Sequence, residues 1–198
     1  NGYQRLVSAY VGDISGHLYK VEFNNDLSTK KIVTLLKPAN MYNPITVKPM
    51  LIKSYKDVWV YFGTGRNADE DQDRGPKSKV IQYIYGIKDN GVSNLTLRNL
   101  GENKMKSHYW DKLNLNNPSV VGSITVEAKS KSNNGWYIPL DADGMGERVV
   151  LSPARTSSAI IFSTWGNNEM MLLPEDDPAF DPCIKDEAFG KVFFLSLD

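Results

Sequence analysis

The sequence predicts an all-β protein built from repeated hairpins, on three observations. No segment sustains the 3.6-residue apolar period of an amphipathic helix. The apolar residues fall instead in short runs rich in β-branched and aromatic side chains, each cut by a turn signal. One unit recurs at Ala9–Phe23, at Val58–Ile87 and at Ala159–Asp198: an apolar strand, a Gly or Ser/Thr stop, a turn or loop, and a second apolar-aromatic strand. Hairpins repeated along a chain favour a β-propeller. A blade takes roughly 40–50 residues. The 198 residues therefore hold about four blades at most. The chain is read as one domain over 1–198, either a partial set of blades with irregular insertions or part of a larger wheel.

The elements follow in order. Leu6–Val11 and His17–Phe23 read as a hairpin around the Gly12–Gly16 turn. Leu18, Val21 and Phe23 break strict alternation, which predicts a bulge or burial on both faces. Lys31–Leu36 is a short strand. Pro44–Ile52 places Ile45 and Val47 on one face, and Pro49 makes it an edge strand or a bent one. It pairs with Val58–Phe62 as a second hairpin. That run, VWVYF, is unbroken and ends at Gly63-Thr64-Gly65, as a buried strand entering a tight turn does.

A polar loop, Asn67–Lys79, leads to a strand at Val80–Ile87 and a turn at Lys88–Gly91. Residues 90–118 read as an insertion: Leu95, Leu97 and Leu100 suit a strand, His108–Leu115 a short helix or an irregular arm. Val120–Val126 is a short strand, Gly135–Ile138 a strand ended by Pro139, and Asp141–Gly146 a tight turn. Glu147–Ser152 and Ser158–Thr164 form a third hairpin, and Gly190–Asp198 is the last strand.

The composition is that of a globular chain, with 41% apolar and 23% charged residues. Its formal net charge is zero, so nothing points to nucleic acid, which calls for a basic face. No apolar run approaches the roughly 18 residues of a membrane span. The first residue is Asn1, which is read as a sign of a processed product. The single cysteine, Cys183, has no internal partner; it is a residue packed under a loop, a free thiol, or half of a bridge to another chain.

Several stretches together resemble one family. Tyr10–Val21, YVGDISGHLYKV, is similar to the Y-x-G-D-x-x-G-x-L-W signature of the PilC/PilY proteins of type IV pili. Pro44–Pro49 resembles the family's P-I-T-x-x-P, Phe62–Arg66 its F-G-T-G-[KR], and Tyr85–Asp89 its Y-G-I-x-D. Gly135–Leu140 resembles its G-W-Y-x-x-L, and Gly146–Val150 with Pro153 its G-E-R-V-x-x-x-P. Phe162-Ser163-Thr164 and Pro182-Cys183 fall where the family has similar elements. Each motif alone is weak, but their order spans nearly the whole chain.

The resemblance implies the modified C-terminal β-propeller of a secreted, extracellular protein at the pilus tip or outer-membrane surface. It implies a non-enzymatic part in pilus assembly, in counteracting retraction, and in adhesion to host or abiotic surfaces. The implied partners are minor pilins and the N-terminal part of the same protein. The family's Asp-rich calcium loop before Y-x-G-D is not matched here, because Asn1–Ala9 holds no acidic residue.

A different calcium candidate stands in the polar loop. Asp69, Asp71 and Asp73, with Gly75, have D-x-D-x-D-x-G spacing, which offers alternate carboxylates on a tight loop. The twelfth position, where an EF-hand loop needs a carboxylate, is Val80, so the other reading is a solvated acidic loop joining two strands. Glu175, Asp176, Asp177 and Asp181 form a second acidic loop, and the length of Pro174–Gly190 makes it a candidate partner surface.

His17 and His108 do not make a zinc set from this chain alone. There is no G-x-S-x-G, and no G-x-G-x-x-G opens a helix. Trp59, Trp110, Trp136 and Trp165 fit blade packing better than a sugar or base platform. The alternative from another class is a quinoprotein-type dehydrogenase, suggested by a loose likeness of Gly16–Phe23 and Gly190–Asp198 to the repeats of those propellers. It would need a quinone over a metal at the wheel centre.

Overall fold

The computed structural model describes residues 6–54, 57–66, 80–102, 134–140, 146–167 and 188–196. Their regular structure is β apart from one 3-10 turn, Leu97–Asn99. They form three open sheets. The N-terminal sheet has the order β1 (Ser8–Gly12), β2 (Leu18–Phe23), β3 (Thr29–Leu36). The central sheet runs β4 (Met50–Ser54), β5 (Asp57–Gly63), β6 (Tyr83–Asp89), β8 (Gly135–Pro139), β7 (Gly101–Glu102). In the C-terminal sheet β11 (Ala159–Asn167) pairs with β12 (Ala188–Ser196) on one side. On the other it meets two short strands, β9 (Arg148–Val149) and β10 (Ala154–Arg155).

Val60, Tyr61 and Phe62 of the VWVYF run are buried because both faces of the strand are covered there, while Val58 and Trp59 are half-buried. Val60 and Phe62 point one way with Tyr85 and Ile87 of β6, and they pack on Leu18, Leu35 and Leu36 of the N-terminal sheet. Tyr61 points the other way with Ile84, Trp136 and Ile138, against Val149, Ile160, Phe162, Phe193 and Leu195 of the C-terminal sheet. A strand buried on both sides needs no alternation of polarity, which is why this one reads as continuous. The three sheets are therefore stacked in chain order, with the central one in the middle.

Each recurring unit is an antiparallel pair. β1 pairs β2, β5 pairs β6, and β11 pairs β12. Register shifts between Leu18 and Tyr19 and between Glu22 and Phe23 supply the irregularity predicted for β2. β4 is the edge strand of its sheet, as expected.

Several boundaries differ from the sequence reading. The strand expected over Pro44–Ile52 begins only at Met50. Pro44 and Pro49 lack N–H groups, and between them Ile45 makes an isolated bridge to Gly65 while the Lys48 N–H donates to Ser152 Oγ. Ile45 and Val47 are both buried, but in different cores, Ile45 with the N-terminal sheet and Val47 with the C-terminal one, so they do not share the one face expected of them. The strand expected over Val80–Ile87 is displaced to Tyr83–Asp89, because the Gln82 side chain is held by the carbonyls of Tyr42 and Val80. The third hairpin exists, but its first arm is broken: only Arg148–Val149 and Ala154–Arg155 pair with β11. Leu95, Leu97 and Leu100 form no regular strand. Leu95 bridges Leu36, and the 3-10 turn follows.

Burial of the aromatic residues sets their ionisation. Burial pushes the Tyr61 phenol up to about 12. Burial and then the hydrogen bond to Glu102 push Tyr137 up to about 12. Phenols raised in this way favour the fold below the unfolded value of about 10, and that support is lost as pH rises through the folded value. In an alkaline absorbance titration these two are expected to ionise well after ordinary tyrosines. If all ten tyrosines ionised near pH 10 with the fold retained, the packing described here would be wrong.

Candidate functional site

Among the described residues, three polar clusters stand out, two of them between sheets. The first joint ties the N-terminal sheet to the central one. Asp89, at the end of β6, accepts a 2.6 Å hydrogen bond from the Tyr10 hydroxyl and lies 2.8 Å from Lys20 Nζ. Lys20 also sits 3.3 Å from Glu22. The Asp89 side chain is only 7% exposed. Burial pushes its carboxyl up, but the bonds from Lys20 and Tyr10 outweigh burial and hold it below the usual carboxylate range.

A carboxyl depressed in the fold stabilises fully above the unfolded value near 4, and the contribution is lost as pH falls through the folded value. Asp89→Asn is expected to cost about 2 kcal/mol at neutral pH. The gap to wild type should close as the pH drops below about 4. Denaturant melts at neutral and acid pH check this; a gap independent of pH contradicts it.

The second joint is Gly63-Thr64-Gly65, at the opposite end of β5. Thr64 N–H donates to the Tyr83 carbonyl, and Tyr83 N–H donates to Thr64 Oγ1, both at 2.8 Å. The Gly65 N–H donates to the Pro44 carbonyl, and Thr46 Oγ1 donates to the Gly65 carbonyl. Val149 N–H donates to the Thr64 carbonyl. Five hydrogen bonds on Thr64 and Gly65 thus bind β5, β6, the Pro44–Thr46 segment and the C-terminal sheet together. The glycines fit where little else does: a Cβ on Gly63 would lie 2.2 Å from Val149 Cγ2, and Gly65 has φ +123°.

A third polar cluster lies within the C-terminal sheet, beside the short strand whose Val149 bonds to Thr64. Glu147 is 3% exposed. Its Oε1 accepts from Thr164 Oγ1, and its Oε2 lies 2.7 Å from Lys191 Nζ. Next to it the Arg148 guanidinium stands 5.4 Å from the centroid of the Trp165 ring, a cation–π distance, and its Nε donates to the Gly146 carbonyl.

The residues singled out from sequence fare unequally. Asp69, Asp71 and Asp73 lie outside the described residues, as do His108, Trp110, Val120–Val126, Cys183, and positions 103–118 of the stretch read as an insertion. Of the Pro174–Gly190 loop, only the part inside β12 is described. Among the described residues no group of three or more His, Cys, Asp or Glu is placed to hold a metal ion. His17 instead belongs to the first turn: Asp13 accepts the His17 N–H at 2.8 Å and the Tyr19 hydroxyl at 3.1 Å, and His17 stacks on Tyr19. Trp136 is core, packed with Tyr61, and Trp59 packs at its margin. Glu147, Lys191 and the Tyr10–Lys20–Asp89 trio escaped sequence reasoning as joints. Their signal was a charged or polar residue set inside or at the mouth of an otherwise apolar strand.

Comparison of the chain with protein-family models, with curated proteins and with solved structures finds no match.

Proposed function

We propose that this chain is a non-enzymatic component of the type IV pilus tip of the PilC/PilY kind. In this reading it acts outside the cell, promotes pilus assembly through contacts with minor pilins, counteracts retraction and contributes to adhesion. Its three stacked sheets are blades of a modified propeller.

One observation carries the reading. Residues from separate stretches of the resemblance meet in the fold: Tyr10 of the first bonds to Asp89 of the fourth, and Val149 of the sixth sits on Gly63 and Thr64 of the third. A motif series inherited with an architecture should converge on its joints in this way, whereas a chance series has no reason to. Face-to-face stacking of consecutive sheets is also the arrangement that successive blades adopt.

The test uses the purified chain and the minor pilins of its source organism. Retention of minor pilins on the immobilised chain, and loss of surface pili when the coding region is deleted, are expected. No retention together with unchanged piliation would sink the proposal.

A further inference from the structure

The sequence holds Asn-Gly pairs at Asn1–Gly2, Asn90–Gly91 and Asn134–Gly135. In such a pair the glycine nitrogen can attack the amide of the preceding side chain, because no Cβ obstructs it and the backbone turns freely. The first pair lies outside the described residues. The fold treats the other two in opposite ways, although they touch: Asn90 Nδ2 donates to Asn134 Oδ1 at 3.0 Å.

Asn90–Gly91 stands in the exposed turn that follows β6. Gly91 has φ +88°, and a Cβ built on it would meet nothing within 4 Å. Its peptide therefore has room to swing. Asn90 Oδ1 accepts the Val92 N–H at 3.1 Å. That donor is aimed at the oxygen on which negative charge builds when Cγ is attacked. The Gly91 N–H is directed to the Asp89 carboxylate, an acceptor for the proton that the attacking nitrogen must lose.

Asn134–Gly135 is locked. Gly135 is buried, opens β8 and pairs with Ile87. A Cβ on it would lie 2.2 Å from the Gly86 carbonyl oxygen. The Asn134 carbonyl accepts the Lys88 N–H. The peptide between these two residues cannot turn onto the Asn134 side chain without undoing that pairing.

We propose that Asn90 is a self-modification site, which the folded chain converts to aspartate and isoaspartate while Asn134 is preserved. The Gly91 nitrogen bonds to Asn90 Cγ, and its proton passes through Asp89 to Nδ2. The Cγ–Nδ2 bond breaks and Nδ2 leaves as ammonia, which closes a cyclic imide. Solvent water reopens the ring. Addition at Cγ gives aspartate, and addition at the Asn90 main-chain carbonyl gives isoaspartate, with the chain rerouted through the side-chain carbon. Loss of Nδ2 severs the bond to Asn134. It also leaves a new carboxylate next to Asp89, the anchor held by Tyr10 and Lys20. The modification thus loosens the turn that sits beside the first joint.

The test incubates the full chain in mildly alkaline buffer, folded and in urea, and follows the peptides carrying each site by mass spectrometry. In the folded chain the Asn90 peptide is expected to gain the acid forms at least about tenfold faster than the Asn134 peptide. In urea the two rates should converge, since the difference comes from the fold. Asn90→Gln lengthens the side chain and should abolish the product at position 90 without exposing Asn134. Asn90→Asp is expected to melt below wild type. An Asn90 that keeps its amide in the folded chain overturns the proposal. So do equal rates at the two sites before unfolding, or a rate ratio that survives urea. None of these readouts involves a pilin, so the pilus assignment is decided separately.

Discussion

Gly63→Ala is expected to lower the melting temperature by about 6–12 °C, corresponding to about 3 kcal/mol for a chain of this length. The added methyl would meet Val149 Cγ2 at 2.2 Å and Val149 Cβ at 2.4 Å. Neither side can yield cheaply. Val149 is fully buried, and its own N–H is fixed to the Thr64 carbonyl. Relief must come from moving β9, which breaks that bond and opens the interface below it. A second substitution separates this mechanism from a general loss of glycine flexibility. Val149→Ala alone leaves a cavity and costs about 1–2 kcal/mol, but in the Gly63→Ala background it should restore part of the lost stability. An unchanged melting temperature for Gly63→Ala, or strictly additive losses in the double variant, would refute the close approach.

Glu147→Ala is expected to cost about 2–4 kcal/mol, because it removes a buried carboxylate that pairs with Lys191 and accepts from the Thr164 hydroxyl. Lys191 is 25% exposed, so part of its charge can turn to water, and the lower end of that range applies if it does. Lys191→Met alone leaves the buried carboxylate without its closest cation and is expected to be nearly as damaging. The double variant Glu147→Gln with Lys191→Met removes both charges and keeps a group able to bond to Thr164. It should be markedly more stable than either charge-breaking single variant. Urea unfolding of wild type, the Glu147→Gln and Lys191→Met single variants and their double variant, a closed cycle, decides the matter. If the double variant equals the sum of the singles, the ion pair does not couple the two strands.

The repeated antiparallel pairs and the buried character of Val58–Phe62 were legible because long apolar runs between glycine turns admit few alternatives. Boundaries were lost where a few hydrogen bonds, not side-chain type, decide. Val80-Ile81-Gln82 looks like a strand by composition, yet Gln82 turns inward and bonds to backbone across the chain. Glu147–Ser152 reads as one strand arm, but only its first residues keep register with β11.

The joints were legible in a different sense. Tyr10, Gly63, Asp89 and Glu147 all lie in stretches that carry the resemblance, but Tyr10 is 79 positions from its partner Asp89, and Gly63 meets a residue as distant as Val149. Spacing along one chain cannot show that Tyr10 meets Asp89. Charge patterning marks Asp89 only as part of a turn, and it takes the stacking of two sheets to make it a buried anchor.

The interrupted arm beside β11 has a consequence for how this molecule avoids misassembly. A strand at a sheet boundary offers a row of N–H and C=O groups that any stray strand can extend into a fibre. Here that boundary is reduced to two rungs of two residues, Arg148–Val149 and Ala154–Arg155. Between them runs a segment containing Pro153, which has no N–H to offer. A foreign strand approaching this side finds no continuous ladder to template on, so growth along the hydrogen-bond direction is blocked there. The fold thus withholds its backbone along this edge, where almost any β-prone chain would otherwise fit.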